Sequence, residues 1–231
     1  MTANRVSFGV EGLDAMLSGG LLEKSICAIV GTYGTGKTSF ALQFAYEGLC
    51  RGEKVIYISL EEREELLQAT MAQKGWDMEA FDDRFYLLRL DPTDFNLAVS
   101  SIKSELPALI ESTGASRVII DPISLFEGLF EDEADRRQEM FRLIEVMRDE
   151  DCTLVLTSET SPANQYGSRY GLVEYLADTV VLLRYVRSRG LTEVYLVLEV
   201  VKMRRSAHSR EIKPFEIHED EITVYSEASL F

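Results

Sequence analysis

Apolar residues recur in short blocks along this chain, at Ile26–Val30, Val55–Leu60, Phe85–Leu90, Val118–Asp121, Thr153–Thr157 and Thr179–Tyr185. Each block is of strand length, and helical patterns separate most of them. That alternation predicts an α/β fold, a mostly parallel twisted sheet with helices on both faces. After Tyr185 the pattern changes. Thr192 to Met203 reads as one long strand, followed over short connections by Pro214–Ile217 and Ile222–Tyr225. Consecutive strands at the end predict an antiparallel extension at one sheet edge. Phe95, Leu97, Ala98, Ile102 and Leu106 have helical spacing, as do Met140, Phe141, Ile144 and Met147, and both sets read as faces packed on the sheet. The acidic run Glu127 to Glu139 reads as a solvated loop and helix start. With 231 residues, no linker and no repeat, the chain is expected to form a single domain over 1–231.

Composition narrows the setting. Apolar residues make up 46% of the chain, yet no unbroken run approaches membrane-spanning length and no secretory signal opens it, so a cytoplasmic location is expected. Cys27, Cys50 and Cys152 lack metal-ligand spacing, and their odd number argues against a disulfide framework. The formal charge of −15 would repel a polyanion, which argues against nucleic acid as the default partner. Basic residues gather late, at Arg184, Arg187 and Arg189 and at Lys202, Arg204, Arg205, Arg210 and Lys213.

Chemistry enters with residues 31 to 38, Gly31-Thr32-Tyr33-Gly34-Thr35-Gly36-Lys37-Thr38, a complete G-x-x-x-x-G-K-[ST] phosphate loop. It follows a strand-like run and opens a helix-like segment from Ser39 to Gly48, the setting in which this pattern binds nucleotide. Glycines let successive N–H groups form an anion nest at the positive end of that helix. Lys37 would reach the β- and γ-phosphates, the Thr38 hydroxyl would ligate Mg²⁺, and Thr32, Tyr33, Thr35 and Ser39 complete the loop. The cofactors expected from the loop are therefore a nucleoside triphosphate and Mg²⁺, with ATP the nucleotide that the resemblance described next implies. Asp121 ends an apolar strand where a second magnesium-organising group is expected. Glu61 and Glu62 follow directly on the Val55–Leu60 strand. Either they position a water for attack on the γ-phosphate, or they open the acidic helix around Arg63-Glu64-Glu65, and spacing alone leaves both readings open.

The order of these parts resembles the RecA superfamily, and the chain is most similar to a single KaiC-type domain. The resemblance rests on the opening Phe8-Gly-Val-Glu-Gly-Leu13-Asp14, the phosphate loop, Glu61-Glu62 and Asp121. Thr157-Ser-Glu159, the stretch Tyr166 to Asp178, and Lys202-Met-Arg204 followed by Pro214-Phe215 extend it over nearly the whole chain. The resemblance implies a RecA-like phosphate-loop NTPase core. It gives Glu61 and Glu62 the water-positioning role, and it implies an ATPase whose nucleotide lies between subunits of a ring, a homo-oligomer expected to be a hexamer. Lys202 and Arg204 would then be cations lent to the neighbour's phosphates, with His208 a further contact. A slow nucleotide-driven switch or scaffold with a protein partner is the function implied.

Where the clock protein's second domain carries a phosphorylated Ser-Thr pair, this chain has Glu174-Tyr175, which argues against autokinase activity. Two alternatives stand beside the ATPase reading. One is a RecA/RadA-like DNA-binding ATPase with Ser161–Gly171 lining a channel, and the other is a nucleotide-binding interaction module with little catalysis.

Overall fold

A two-stranded ribbon, β1 (Arg5–Val6) against β2 (Leu21–Leu22), flanks helix α1 (Glu11–Met16) in the computed structural model, which describes residues 4–91, 93–187 and 194–228. Neither the ribbon nor α1 is announced by periodicity. The Asp14 carboxylate organises this segment by accepting the N–H groups of Phe8 and Gly9 at 2.7 and 3.1 Å and the Ser7 hydroxyl at 2.8 Å.

The main sheet begins at β3 (Ile26–Gly31), which leads through the phosphate loop into α2 (Lys37–Cys50). There follow β4 (Val55–Ser59), α3 (Glu64–Gln73), β5 (Phe85–Arg89), α4 (Phe95–Ser100), a π-helical turn (Ser101–Glu105), α5 (Leu106–Thr113), β6 (Arg117–Asp121), α6 (Ile123–Glu127) and α7 (Glu133–Asp149). The remaining elements are β7 (Thr153–Ser161), β8 (Asn164–Ser168), α8 (Val173–Leu176), β9 (Thr179–Arg187), β10 (Val194–Met203), β11 (Lys213–Ile217) and β12 (Ile222–Val224). The strand order is β12-β11-β10-β9-β3-β7-β6-β4-β5, with β8 folded back on β7. From β9 to β5 all pairings are parallel, whereas β10, β11 and β12 pair antiparallel. The expected α/β architecture and its antiparallel extension are both present. No helix among the described residues is long and apolar enough to cross a membrane.

Because successive strand side chains point to opposite faces, each central strand feeds two cores. Cys27, Ile29, Tyr57, Ile119 and Val155 pack with Phe40 and Phe44 of α2 and with Phe8 and Leu13 of the N-terminal segment. Ala28, Val30, Ile56, Val118, Ile120 and Leu156 pack with Ile102, Ile110, Leu143, Ile144 and Val173 on the opposite side. Arg117 fixes α2 to β6. Its guanidinium is 1% exposed, forks onto the Glu53 carboxylate at 2.8 and 2.9 Å, donates to the carbonyls of Ser7 and Phe44 and lies over the Phe44 ring. Removing Glu53 would leave that buried charge unpaired, at a cost of about 3–5 kcal/mol.

Several expectations need correction. The helix expected from Phe95 to Leu106 is interrupted by the π-helical turn, which lies just before Pro107. Proline has no N–H to donate back one turn, so the wider turn is accommodated there. Leu97 faces outward, while Ala98, Ile102 and Leu106 are buried. The acidic run is solvated at Glu131–Glu133 but not at its start, because Glu127 closes α6 inside the protein and is fully buried. Arg189, Thr192 and the side chain of Phe95 lie outside the described residues.

Candidate functional site

The carboxyl ends of β3, β7, β6 and β4 meet at one end of the sheet, and strand parity decides what they present there. In β6 the residues on the α2 side are Arg117, Ile119 and Asp121, and in β7 they are Val155, Thr157 and Glu159. Gly31 is in register with Glu159, and Ser59 with Asp121. Asp121 is buried and accepts the Tyr57 hydroxyl at 2.6 Å on one oxygen and the Thr157 hydroxyl in a short hydrogen bond on the other. Burial, then the neighbouring Asp121 charge, hold the Tyr57 hydroxyl well above its ordinary pKa, so it remains a donor.

The phosphate loop closes on itself. Thr32 O accepts the Thr35 hydroxyl at 2.7 Å and the Lys37 ammonium at 3.0 Å. Gly36 is the residue before α2 and has φ of 88°, a left-handed conformation that favours glycine, and a Cβ there would stand 2.2 Å from Ile217 Cδ1. The helix therefore starts at Lys37, two residues earlier than its apolar pattern shows, so Thr38 and Ser39 lie in its first turn. Burial lowers the pKa of Lys37, while the charges of Glu159, Asp121 and Glu61, in that order, oppose the shift. One partly desolvated ammonium thus sits among three carboxylates. Tyr185 donates its hydroxyl to Gly34 O at 2.6 Å and braces the loop from β9.

Glu61 and Glu62 lie in the connection between β4 and α3, whose first residue is Glu64. They precede the first turn of the helix, whose N-cap is Arg63. Ser59 anchors this connection by donating its hydroxyl to Glu62 O at 2.7 Å. The Glu62 carboxyl is raised above its ordinary pKa by burial, then by the charges of Asp121 and Glu61. A half-buried carboxylate of raised basicity is suited to holding a proton taken from water.

Thr157, Glu159 and Tyr57 join the site in the fold, and strand parity carries a sequence signal for Thr157 and Glu159. Polar side chains at the end of an apolar strand, on the same face as Asp121, have reason to be there only if that face is a site. Glu159 also carries an ion pair to Arg169 at 2.8 Å. Arg169 is the basic residue of the Ser161–Gly171 segment, and it is engaged with a carboxylate where a DNA-binding channel would need a free cation. Within that segment Asn164–Ser168 form β8, with Tyr166 exposed and stacked under Arg184 at 4.7 Å.

The late basic residues divide between two ends of the sheet. Arg184 and Arg187 lie toward the end of β9 nearest the phosphate loop. Lys202 and Arg204 lie at the other end, because β10 pairs Met203 with Thr179, at the start of β9. From Thr179 to Leu183, which is level with Gly31, there is about 13 Å of strand at about 3.3 Å per residue. Neither cation approaches its own chain's phosphate loop. Lys202 directs its ammonium onto the carbonyls of Glu174, Tyr175 and Ala177 at 2.7, 3.3 and 2.6 Å, capping the negative end of α8. Arg204 donates to Tyr175 O at 2.9 Å and lies 3.9 Å from Asp178. The chain beside His208 is fastened to α1 by Ser209 N–H to Met16 O at 2.8 Å.

Among the described residues no three His, Cys, Asp or Glu side chains gather as a metal cage. A divalent ion here would draw most of its oxygens from phosphate and water, as Mg²⁺ does, and the remaining lone pairs of Asp121 together with the Thr38 hydroxyl fit that requirement.

A phosphate loop between a central strand and its helix, faced by carboxylates from the adjoining strands, defines a P-loop nucleotide-binding protein of the RecA-like class. The chain belongs to the KaiC ATPase family, whose model, described as "ATPase: KaiC", matches residues 6–229. It is 32% identical to the circadian clock oscillator protein KaiC of Prochlorococcus marinus, over 98% of this chain and 46% of that protein. It thus spans about half the length of the clock proteins it matches. It is also 30% identical to the UPF0273 protein PH0284 of Pyrococcus horikoshii, over 98% of this chain and 96% of that one. The crystal structure of the KaiC-like protein PH0186 from the same archaeon superposes with a TM-score of 0.86 at 31% identity, covering 96% of this chain and 99% of that chain.

Proposed function

We propose that residues 1–231 form one KaiC-type ATPase domain that hydrolyses ATP with Mg²⁺ at the subunit interfaces of a hexameric ring, as a slow nucleotide-driven switch or scaffold acting in the cytoplasm. The observation that carries this reading is the division of charge. Lys37 lies among Glu61, Asp121 and Glu159 at one end of the sheet, and Arg204 is held at the other, where only a second copy could bring it to a phosphate.

In this reading the loop N–H groups and Lys37 hold the β- and γ-phosphates, with Thr32, Tyr33 and Ser39 lining the loop. Thr38 and Asp121 would hold Mg²⁺, which would supply positive charge to offset that of the phosphates. Tyr57 and Thr157 fix the Asp121 carboxylate. Glu62 orients the attacking water and takes its proton, while Glu61 keeps Glu62 basic through like-charge repulsion. Arg204 arrives from the neighbouring subunit and stabilises charge developing on the γ-phosphate, with His208 beside it. Lys202 has its donors engaged on α8, so its part is to set the position of that helix end unless assembly draws it away.

Phosphate release from Mg·ATP tests the proposal. Wild type is expected to release phosphate, and Glu62→Gln to keep ATP bound while releasing far less. ATP that stays bound and intact after long incubation of wild type with Mg²⁺ would instead favour an interaction module with little catalysis.

A further inference from the structure

Asp178, 3% exposed between α8 and β9, is the anchor of the basic end of the molecule. One of its oxygens accepts the Ile26 N–H at 3.1 Å. Three guanidinium groups converge on its carboxylate, Arg148 at 3.4 Å, Arg205 at 3.7 Å and Arg204 at 3.9 Å. Lys202 lies alongside, so four cations surround one buried carboxylate in a chain whose formal charge is −15. These separations exceed the 2.7–2.9 Å or so typical of charge-assisted hydrogen bonds, and Arg148 and Arg204 also donate to the carbonyls of Leu176 and Tyr175 at 3.1 and 2.9 Å.

Arg205 differs from its neighbours in two ways. Its φ is 61°, in the left-handed region that favours glycine and that L side chains rarely adopt. Its guanidinium makes no hydrogen bond among the described residues, and its side chain is 64% exposed. Arg204 next to it is tied to Tyr175 O, and Lys202 is tied to three carbonyls. Folding draws from Arg205 only a long ion pair to Asp178, while glycine would fit this turn better and lose no hydrogen bond.

We infer that Arg205 is a further cation of the shared site, contacting a phosphate oxygen of the nucleotide held by the phosphate loop of a second copy of this chain. The inference rests on the ring reading above and deepens it, adding a residue that the Lys202-Met-Arg204 pattern does not include. Arg148 and Asp178 are positioning residues that hold this end of β9 and α8 together. Arg205 supplies donors that make no hydrogen bond among the described residues, whereas Arg204 is held by one carbonyl and Lys202 by three.

The test uses two substitutions that suit a left-handed backbone and remove the charge, Arg205→Gly and Arg205→Asn. Both are expected to leave the melting temperature unchanged or higher, to lower phosphate release per chain about tenfold, and to change ATP affinity less than about twofold. Mixing either variant with Lys37→Ala, which lacks the loop cation but still offers Arg205, is expected to restore turnover beyond the sum of the two samples. Assembly-dependent wild-type turnover that neither substitution alters, or a mixture equal to that sum, would overturn the role of Arg205 while leaving the shared site standing. Full turnover in a wild-type monomer would overturn the shared site and Arg205 together. If wild type binds ATP without cleaving it, the contact is read from ATP-dependent association. That association is expected to weaken about tenfold in both variants, and unchanged association would count against Arg205.

Discussion

The two ends of the parallel strands carry opposite chemistry. At the carboxyl end, Lys37 is outnumbered by Glu61, Asp121 and Glu159. At the amino end, Asp178 is outnumbered by Arg148, Arg204 and Arg205, with Lys202 beside it. Carboxylates are in surplus immediately around Lys37 and cations immediately around Asp178, although Arg184 and Arg187 also lie toward the carboxyl end. In the proposed ring, head-to-tail packing of copies would bring the cationic end of one chain to the phosphate loop of the next.

The largest effect is expected from breaking the carboxyl end. Lys37→Ala removes its cation from among three carboxylates, and phosphate release should fall by about 10³-fold with loss of ATP binding, measurable by equilibrium dialysis beside a phosphate assay. Retained ATP affinity in this variant would put the nucleotide elsewhere. Glu62→Gln should slow release by about 10²–10³-fold while ATP affinity changes little, because it removes the proton acceptor and leaves the phosphate contacts intact.

At the amino end, Arg204→Ala should slow release by about 10²-fold, again with little change in ATP affinity. A loss of binding in place of turnover would mean that Arg204 supports ground-state contacts instead. The comparison is sharpened further by pH. Because burial and the charges of Asp121 and Glu61 raise the Glu62 carboxyl, its deprotonated form is lost as pH falls through a value above the ordinary Glu range, so activity should decline on the acid side earlier than an exposed Glu would give. Glu61→Gln removes one like charge and should shift that acid limb to lower pH. An unmoved limb would separate Glu61 from Glu62.

The smallest effect on chemistry, though not on stability, belongs to Glu127. It is fully buried with neither carboxylate oxygen hydrogen-bonded among the described residues, and burial, then the Glu174 charge, push its carboxyl up to about 8 from 4.5. The folded state therefore holds this proton more tightly than the unfolded chain. The stability it contributes is present below the ordinary Glu range and is lost as pH rises toward about 8. In urea unfolding, the drop in stability between about pH 5 and about pH 8 should be smaller by about 2–4 kcal/mol in Glu127→Gln than in wild type. Equal drops would mean that Glu127 does not take up a proton on folding.

Much of this was legible in the sequence because it is local. A G-x-x-x-x-G-K-[ST] run after a strand fixes its own geometry, and period-two apolar blocks announce buried parallel strands without knowledge of their neighbours. The antiparallel edge was legible too, from the short connections after Met203. What escaped depends on contacts distant in sequence. β8 exists because it folds onto β7, α1 is held by Asp14 accepting N–H groups before the helix, and Glu127 is polar by composition yet enclosed by tertiary packing. Thr157 and Glu159 gain meaning only when β7 is known to lie between β3 and β6. The basic cluster read as one group along the chain, whereas folding engages Lys202 on α8 and leaves Arg205 with unused donors.

The most direct test of a site shared between copies is phosphate release per chain, followed across a dilution series in Mg·ATP while light scattering reports the molar mass in the same samples. Turnover per chain should fall in parallel with the assembled fraction and approach zero in the monomer. Constant turnover per chain in demonstrably monomeric protein would contradict the account.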